Sequence, residues 1–239
     1  SGHTVVLGAK EVACGDPTCP IRTAILAPVA DKRLNTPVRS IRRRGQSEGG
    51  GVLLATDTGT EVFDKVVIAT HSDQALTLLA DPTPSEQQAL GAVRYHRNRA
   101  VLHTDATVLP SRKAAWAAWN YESHPPRSGI TPQDNQVCLH YLINMLQPVP
   151  WKQPIVVSLN PLREIPPDCI LGDFDYAHPV FDAAATRAQA RITRNQGLAD
   201  TYYCGAWLGY GFHEDGLKSG SAAAEQILHA LHQPDGARQ

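Results

Sequence analysis

The stretch Thr201-Tyr-Tyr-Cys-Gly-Ala-Trp-Leu-Gly-Tyr-Gly-Phe-His-Glu-Asp-Gly-Leu-Lys-Ser-Gly220 gathers the residues whose types and spacing could hold a ligand. A short apolar strand gives way to a glycine-rich loop, and the periodicity then predicts a helix from Gly216 to about His232. That order makes a cradle for an anion or a cofactor. Gly205, Gly209, Gly211 and Gly216 leave backbone bare for close approach, and the first turn of the helix aims unpaired N–H groups back into the loop. Asp215 is placed to cap this helix. Leu217, Ala224, Ile227, Leu228 and Leu231 share one helical face, which predicts that this face anchors the helix against a core, with Ser219, Gly220 and Ser221 allowing close packing. The plain alternative is a tight connection in which the glycines only shape the turn and Glu214 and Asp215 offset the helix dipole. On residue types the two readings stand about even, and Trp207, Tyr210 and Phe212 among the glycines tilt the balance toward a flat, conjugated ligand.

The elements that must position this loop can be followed along the chain. Pro37 to Ile41 alternates, Gly49 to Gly51 supplies a turn, and Val52 to Thr56 resumes the strand pattern before a hairpin turn at Asp57 to Thr60 and a return over Glu61 to Phe63. Val66 to Ala69 is a continuous apolar run of the kind buried on both faces, ending at Thr70-His71-Ser72. Helices are expected from Gln74 to Leu79 and, capped by Ser85, up to about Gly91. Strands at 98–108, 115–121, 136–144 and 155–159 suggest an antiparallel or mixed sheet, and a helix at 183–195 and a strand at 201–204 lead into the final helix. Arg42-Arg43-Arg44 reads as a solvated strand end. Pro17, Pro20 and Pro28 interrupt the first 30 residues, which stay unassigned. The fold class is α+β, derived from an α/β plan.

Composition narrows the function. The 22 basic and 23 acidic residues nearly cancel, so no large field exists to hold a nucleic acid or an anionic membrane surface. No stretch approaches the roughly 20 apolar residues of a membrane-spanning helix. The first residues lack the pattern of a signal peptide, and the five cysteines, an odd number, read as reduced thiols, so a cytoplasmic protein is expected. Cys138, Cys169 and Cys204 sit in or beside apolar runs and are expected to be buried. Cys14 and Cys19 have no second Cys or His pair at a zinc spacing, and no metal is expected.

Cys204 to Gly220 resembles the C-terminal flavin-contacting motif of flavin-containing amine oxidase-like proteins, among them bacterial NAD/FAD-binding oxidoreductases. In the family's order, Leu34-Asn-Thr-Pro-Val-Arg-Ser-Ile41 resembles the strand whose valine, Val38 here, lies against the adenine. Phe63-Asp-Lys-Val-Val-Ile-Ala-Thr-His-Ser-Asp-Gln74 resembles the second FAD-domain signature, and Ala118-Trp-Asn-Tyr121 with His178-Pro-Val-Phe-Asp182 resembles substrate-domain landmarks. The likeness, from about Asp31 to Leu231, implies a partial FAD-binding domain at 31–72 and 197–234, a mixed-sheet substrate domain at 73–196 and a tail at 235–239. It implies FAD contacts at Val38, Ala69, Thr70, Gly205, Glu214, Asp215, Gly216 and Leu217, and a small organic substrate near Trp207, Tyr210 and His213. The implied reaction is hydride transfer from an amine or another organic substrate to the flavin, with the helix start meeting the negative charge of the reduced ring. Lys113 and Lys152 lie in no matching motif, His71 and His178 read as structural, and no residue is assigned as catalytic.

The family begins with a strand, a Gly-x-Gly-x-x-Gly turn and a helix that hold the FAD pyrophosphate. The nearest counterpart is Val5 to Ala13, where Gly8 matches but Lys10 and Ala13 take the next glycine positions; Gly45 to Gly51 reads as a hairpin loop. Three or four missing hydrogen bonds to charged oxygens, each worth roughly 1.5–3 kcal/mol, would lower cofactor affinity by several powers of ten. Exposed strand edges would favour self-association. Two readings follow: a truncated FAD-dependent oxidoreductase, or a non-catalytic remnant or module that binds a hydrophobic ligand or partner and does not hold FAD by itself. A strand at residues 4 to 7 that completes the FAD-domain sheet would make the N-terminal segment a substitute for the missing unit.

Overall fold

The computed structural model describes residues 5–7, 26–123 and 137–232. Cys14, Cys19, Lys10, Ala13 and the 235–239 tail lie outside the described residues. The order is β1 (Val5–Leu7), β2 (Asp31–Arg33), β3 (Val38–Arg43), β4 (Val52–Thr56), β5 (Gly59–Phe63), β6 (Val66–Ile68), α1 (Ser72–Leu78) and α2 (Pro84–Leu90). Next come β7 (Tyr95–His103), β8 (Trp119–Ser123), β9 (Val137–Leu142), α3 (Ile143–Leu146), β10 (Val156–Leu159) and β11 (Ile170–Pro179), then α4 (Ala183–Asn195), β12 (Thr201–Tyr203) and α5 (His213–His232). Contacts divide this α+β chain into one unit of residues 1–94 with 179–239 and a second of residues 95–178. No helix among the described residues is long and apolar enough to cross a membrane.

In the first unit, β4 and β5 form the expected hairpin, closing with Thr56 opposite Gly59 around Asp57-Thr58, and β3 lies antiparallel on the other side of β4. β6 and β12 pair in parallel, with Val66 opposite Thr201 and Ile68 opposite Tyr203. β1 exists, but it pairs in parallel with β2 in a two-stranded sheet of their own and does not extend the β6–β12 pair. The outer edge of β12 is covered at one point, because the Gln196 side-chain amide donates to Tyr203 O (2.6 Å) and accepts from Tyr203 N–H (2.7 Å).

Two helices of this unit start on side-chain caps. Thr83 caps α2 by accepting from Glu86 N–H (3.2 Å), while the Glu86 carboxylate accepts from Thr83 N–H (2.9 Å). The expected cap, Ser85, is the second residue of the helix. Asp182 caps α4 by accepting from Ala185 N–H (2.8 Å), and Ala185, Ala188 and Ile192 form its buried face. α1, α2 and α4 lie in the first unit by contact, with α2 packed on both α1 and α4.

Arg43 departs from the solvated strand end expected of Arg42 to Arg44. Its side chain is 8% exposed and ion-paired with Glu86, whose own side chain is 5% exposed. The guanidinium also donates to Asp81 O (2.9 Å), Thr201 Oγ1 (3.2 Å) and Tyr203 Oη (3.3 Å), tying β3 to α2 and β12.

The second unit is a five-stranded sheet in the order β11-β7-β10-β9-β8. The β7–β10, β10–β9 and β9–β8 pairs are antiparallel. Val101, Val108, Leu109, Leu142, Val156 and Ile165 form the core against one face. β11 has no counterpart in the sequence reading.

Candidate functional site

The carboxyl ends of β6 and β12 run side by side into the glycine-aromatic loop. Cys204 N–H continues the ladder to Ile68 O (3.1 Å), and the Trp207 indole N–H donates to Thr70 O (3.0 Å), joining the two strand ends. From α4, the Gln189 amide donates to Trp207 O (3.0 Å) and Gly209 O (2.7 Å). From α5, the Ser219 hydroxyl accepts from Gly205 N–H (2.9 Å) and donates to Gly216 O (2.9 Å). The loop is therefore held from three sides by its own protein.

α5 begins at His213, three residues before the expected start at Gly216. The reason is Asp215. Its carboxylate sits inside the first turn and reaches back to accept the N–H groups of Tyr210 and Phe212 (both 3.0 Å), folding the loop onto the helix start. The positive end of the helix dipole thus lies at His213 and Glu214.

The glycines divide into two kinds. A Cβ on Gly205 would come within 2.7 Å of the Trp207 ring and one on Gly209 within 2.5 Å of the Asp215 carboxylate, so packing inside the loop already requires both; Gly211 lies against Phe181. The plain alternative accounts for these three. At Gly216 a Cβ would meet nothing closer than Ala206 N at 3.7 Å, so no protein group demands a glycine there, and close approach by a ligand still gives it a reason.

Of the sequence-predicted residues, Ala69, Thr70, Gly205, Asp215 and Gly216 belong to this one corner of the first unit, with Glu214 exposed beside them. Val38 stands at the start of β3, in the three-stranded sheet, and its strand reaches β12 through Arg43. Trp207 is 3% exposed with its N–H committed to Thr70, so it braces the loop, whereas Tyr210 (78% exposed), Phe212 and His213 face outward. The expected anchoring face of α5 is reversed. Leu217, Leu228 and Leu231 are 63%, 55% and 60% exposed and Ala224 is exposed, while Gly216, Ser219, Gly220 and Ala223 turn inward with Ile227. Small side chains allow the approach that the Ser219–Gly205 bond requires.

The register of the second unit's sheet sorts its residues onto two faces. Trp119, Tyr121, Leu139, Tyr141, Val157 and Leu159 share one, with Trp119 and Tyr121 half or more exposed and the Trp119 and Tyr141 rings edge to face at 5.5 Å. The other face carries a buried polar row that sequence reasoning missed. Asp105 N–H donates to His103 Nδ1 (3.2 Å), His103 Nε2 and His140 Nδ1 each lie 2.7 Å from Ser158 Oγ, and His140 Nε2 lies 2.9 Å from Glu122 Oε2. A backbone N–H can only donate, so the sequence of donors is fixed: His103 Nε2–H to Ser158, Ser158 O–H to His140 Nδ1, and His140 Nε2–H to Glu122. Burial lowers the His103 pKa, against the pull of Asp105, and keeps the ring neutral. Cys138 lies opposite Glu122 in the ladder with Sγ 3.7 Å from His140 Nδ1, and burial pushes its thiol up to about 11. The signal in the sequence is Cys138-Leu-His140, two donors on one face of a strand, which a search for paired zinc motifs passes over. Cys138 is buried as expected; Cys169 and Cys204 are partly buried.

No protein of curated function matches the chain in sequence. Among solved structures, it is similar to the fatty acid isomerase from P. acnes that produces CLA (TM-score 0.56, 14% identity, 89% of this chain and 51% of that one). It is also similar to reduced UDP-galactopyranose mutase (0.58, 11%, 89% and 52%) and to putrescine oxidase bound to putrescine (0.55, 13%, 87% and 51%). At these identities the likeness is one of fold, and the chain spans about half the length of each structure. The family model for flavin-containing amine oxidoreductases matches residues 22–144, just over half of the 239 residues, and includes β2 to β6 and the sheet strands β7 to β9. The chain belongs to the flavin-containing amine oxidoreductase family.

Proposed function

We propose that the chain is the flavin-ring and substrate-binding part of an FAD-dependent oxidoreductase that takes hydride from a small organic substrate. The observation that carries this reading is the meeting of two parallel strand ends, β6 at Thr70 and β12 at Gly205, with the N-terminus of α5, since ligands of such sheets bind outside the carboxyl ends of their strands. The fit is sound at Gly216, where a Cβ has room and the residue has no packing duty. Ala69, Thr70, Gly205 and Gly216 would line the ring, and the His213 and Glu214 amides would stabilise negative charge on it. When bound, FAD supplies the hydride acceptor. Tyr210 and His213, exposed in the loop and at the start of α5, are the side chains assigned to a small organic substrate.

The test is to add FAD to the purified chain, remove free flavin by gel filtration and record the visible spectrum. Flavin retained in about equimolar amount, and lost at least tenfold in Gly216→Val with the circular dichroism unchanged, is the expected result. A folded chain that returns all its flavin would sink the proposal and leave the non-catalytic module as the better reading.

A further inference from the structure

Among the described residues outside the loop at the start of α5, the buried row on the second unit's sheet gathers a carboxylate, a thiol and an imidazole. One donor atom each from Glu122, Cys138 and His140 falls within 4.8 Å of the other two. We infer that this cluster is a binding site for a thiophilic divalent ion of the zinc class, bonded by Cys138 Sγ and His140 Nδ1.

Geometry selects those two atoms. They are 3.7 Å apart, the separation that bonds of about 2.3 Å to sulfur and about 2.0 Å to nitrogen give at an angle near 120°. Ser158 Oγ, 2.7 Å from the same nitrogen, is the nearest oxygen for a third bond. The ion replaces the Ser158 O–H as the group that meets the Nδ1 lone pair, and the hydroxyl keeps its proton and turns it away from the ring. Every other hydrogen bond keeps its direction: His103 Nε2–H still donates to Ser158, and His140 Nε2–H still donates to Glu122. Coordination through Nε2 would instead move the ring proton to Nδ1, leave Ser158 Oγ receiving two N–H donors and remove the His140–Glu122 hydrogen bond. The arrangement is the carboxylate–histidine–metal pattern, in which the carboxylate fixes the tautomer and raises the basicity of the ligand.

Charge points the same way. The metal-free site holds a neutral, fully buried thiol beside a carboxylate that is 35% exposed. A divalent ion on the thiolate with Glu122 nearby brings the site to neutrality, which a buried cluster needs. The exposed edge of Glu122 offers the ion a path inward. The thiol proton leaves as the Sγ–metal bond forms, so affinity falls as pH is lowered.

Cobalt(II) is the probe. One equivalent added to the full chain should give thiolate-to-cobalt charge-transfer absorption, displaced by zinc(II) and absent in Cys138→Ser. X-ray absorption on the unmodified chain loaded with one equivalent of zinc(II) should find one sulfur at about 2.3 Å with nitrogen or oxygen at about 2.0 Å. This measurement stands whether or not the variant folds. No metal retained after gel filtration, a shell without sulfur, a shell with two sulfurs, or unchanged binding in Cys138→Ser overturns the site.

Discussion

Replacing Arg43 by methionine tests the packing of the first unit most directly. The substitution keeps the apolar stem and removes the guanidinium that faces Glu86, Asp81 O, Thr201 Oγ1 and Tyr203 Oη. Glu86 is then a buried carboxylate with Thr83 and the Tyr203 hydroxyl, 2.6 Å away, as its remaining donors. Breaking one side of a buried pair costs about 3–5 kcal/mol, because the partner charge is left without its counter-ion. With a urea dependence of about 2–3 kcal/mol per molar, the unfolding midpoint should fall by about 1–2 M, followed by tryptophan fluorescence. Arg39→Met is the control: Arg39 is paired with Asp57 at 2.8 Å, but both side chains are about 60% exposed, and the change should leave the midpoint nearly unmoved. Adding Glu86→Leu to Arg43→Met should restore much of the loss, since no charge is then buried alone. Equal, small shifts for Arg43→Met and Arg39→Met would refute the claim that the buried pair ties β3 to α2 and β12.

Acid should expose the same group. Burial alone would raise the Glu86 carboxyl, but hydrogen bonds from Tyr203 and Thr83 and the charge of Arg43 outweigh it, and the net shift is downward. A carboxyl whose pKa falls on folding adds stability that is complete above the unfolded value of about 4.3 and lost as pH drops through the lower folded value. Urea titrations at stepped pH should show that loss below about pH 4.3 in the unmodified protein, and Glu86→Gln, less stable at neutral pH, should lose less over the same range; parallel curves would count against the shift. In the loop, Gly205→Ala sets a Cβ about 2.7 Å from the Trp207 ring at a φ of +151°, so it should lower stability by about 1–3 kcal/mol and shift tryptophan emission to longer wavelength as the indole is displaced. Unchanged emission and midpoint would mean that Trp207 does not hold the loop.

What the residues disclosed, and what they hid, follows from how local each signal is. The β4–β5 hairpin and α4 were legible because a two-residue turn and the Asp182 cap are sequence neighbours of the elements they set. β11 was readable in principle, since Asp173 and Asp175 alternate with Phe174 and Tyr176 in the period of a strand. The Thr83 cap was readable in principle, since Thr83 and Glu86 stand three apart as a capping box requires. Arg43 was hidden by its neighbours: three arginines in a row look solvated, yet strand alternation puts Arg43 on the face of Ile41, which is 2% exposed. Glu122, Cys138, His140 and Ser158 come from three strands, and only the register brings them together.

α5 shows where periodicity stops being sufficient. A stripe of large apolar residues usually marks the buried face, and fully burying a leucine is worth about 1.5–3 kcal/mol. Here the stripe of Leu217, Leu228 and Leu231 faces outward, and the inward face is built from glycine, serine and alanine. The deciding constraint is distance: Ser219 must come within 2.9 Å of Gly205 N, and no large side chain fits between helix and loop at that spacing. That same approach, together with Asp215 on the Tyr210 and Phe212 amides, Gln189 on the Trp207 and Gly209 carbonyls and backbone bonds within the loop such as Gly211 N–H to Ala206 O (3.1 Å), fixes the shape of the loop. A loop ordered by its own protein does not have to be ordered by a ligand, so the entropy lost on binding at the α5 N-terminus is smaller than for a loop that folds on contact. The cofactor reading therefore rests on the open space at the Gly216 Cα and on the first amides of α5.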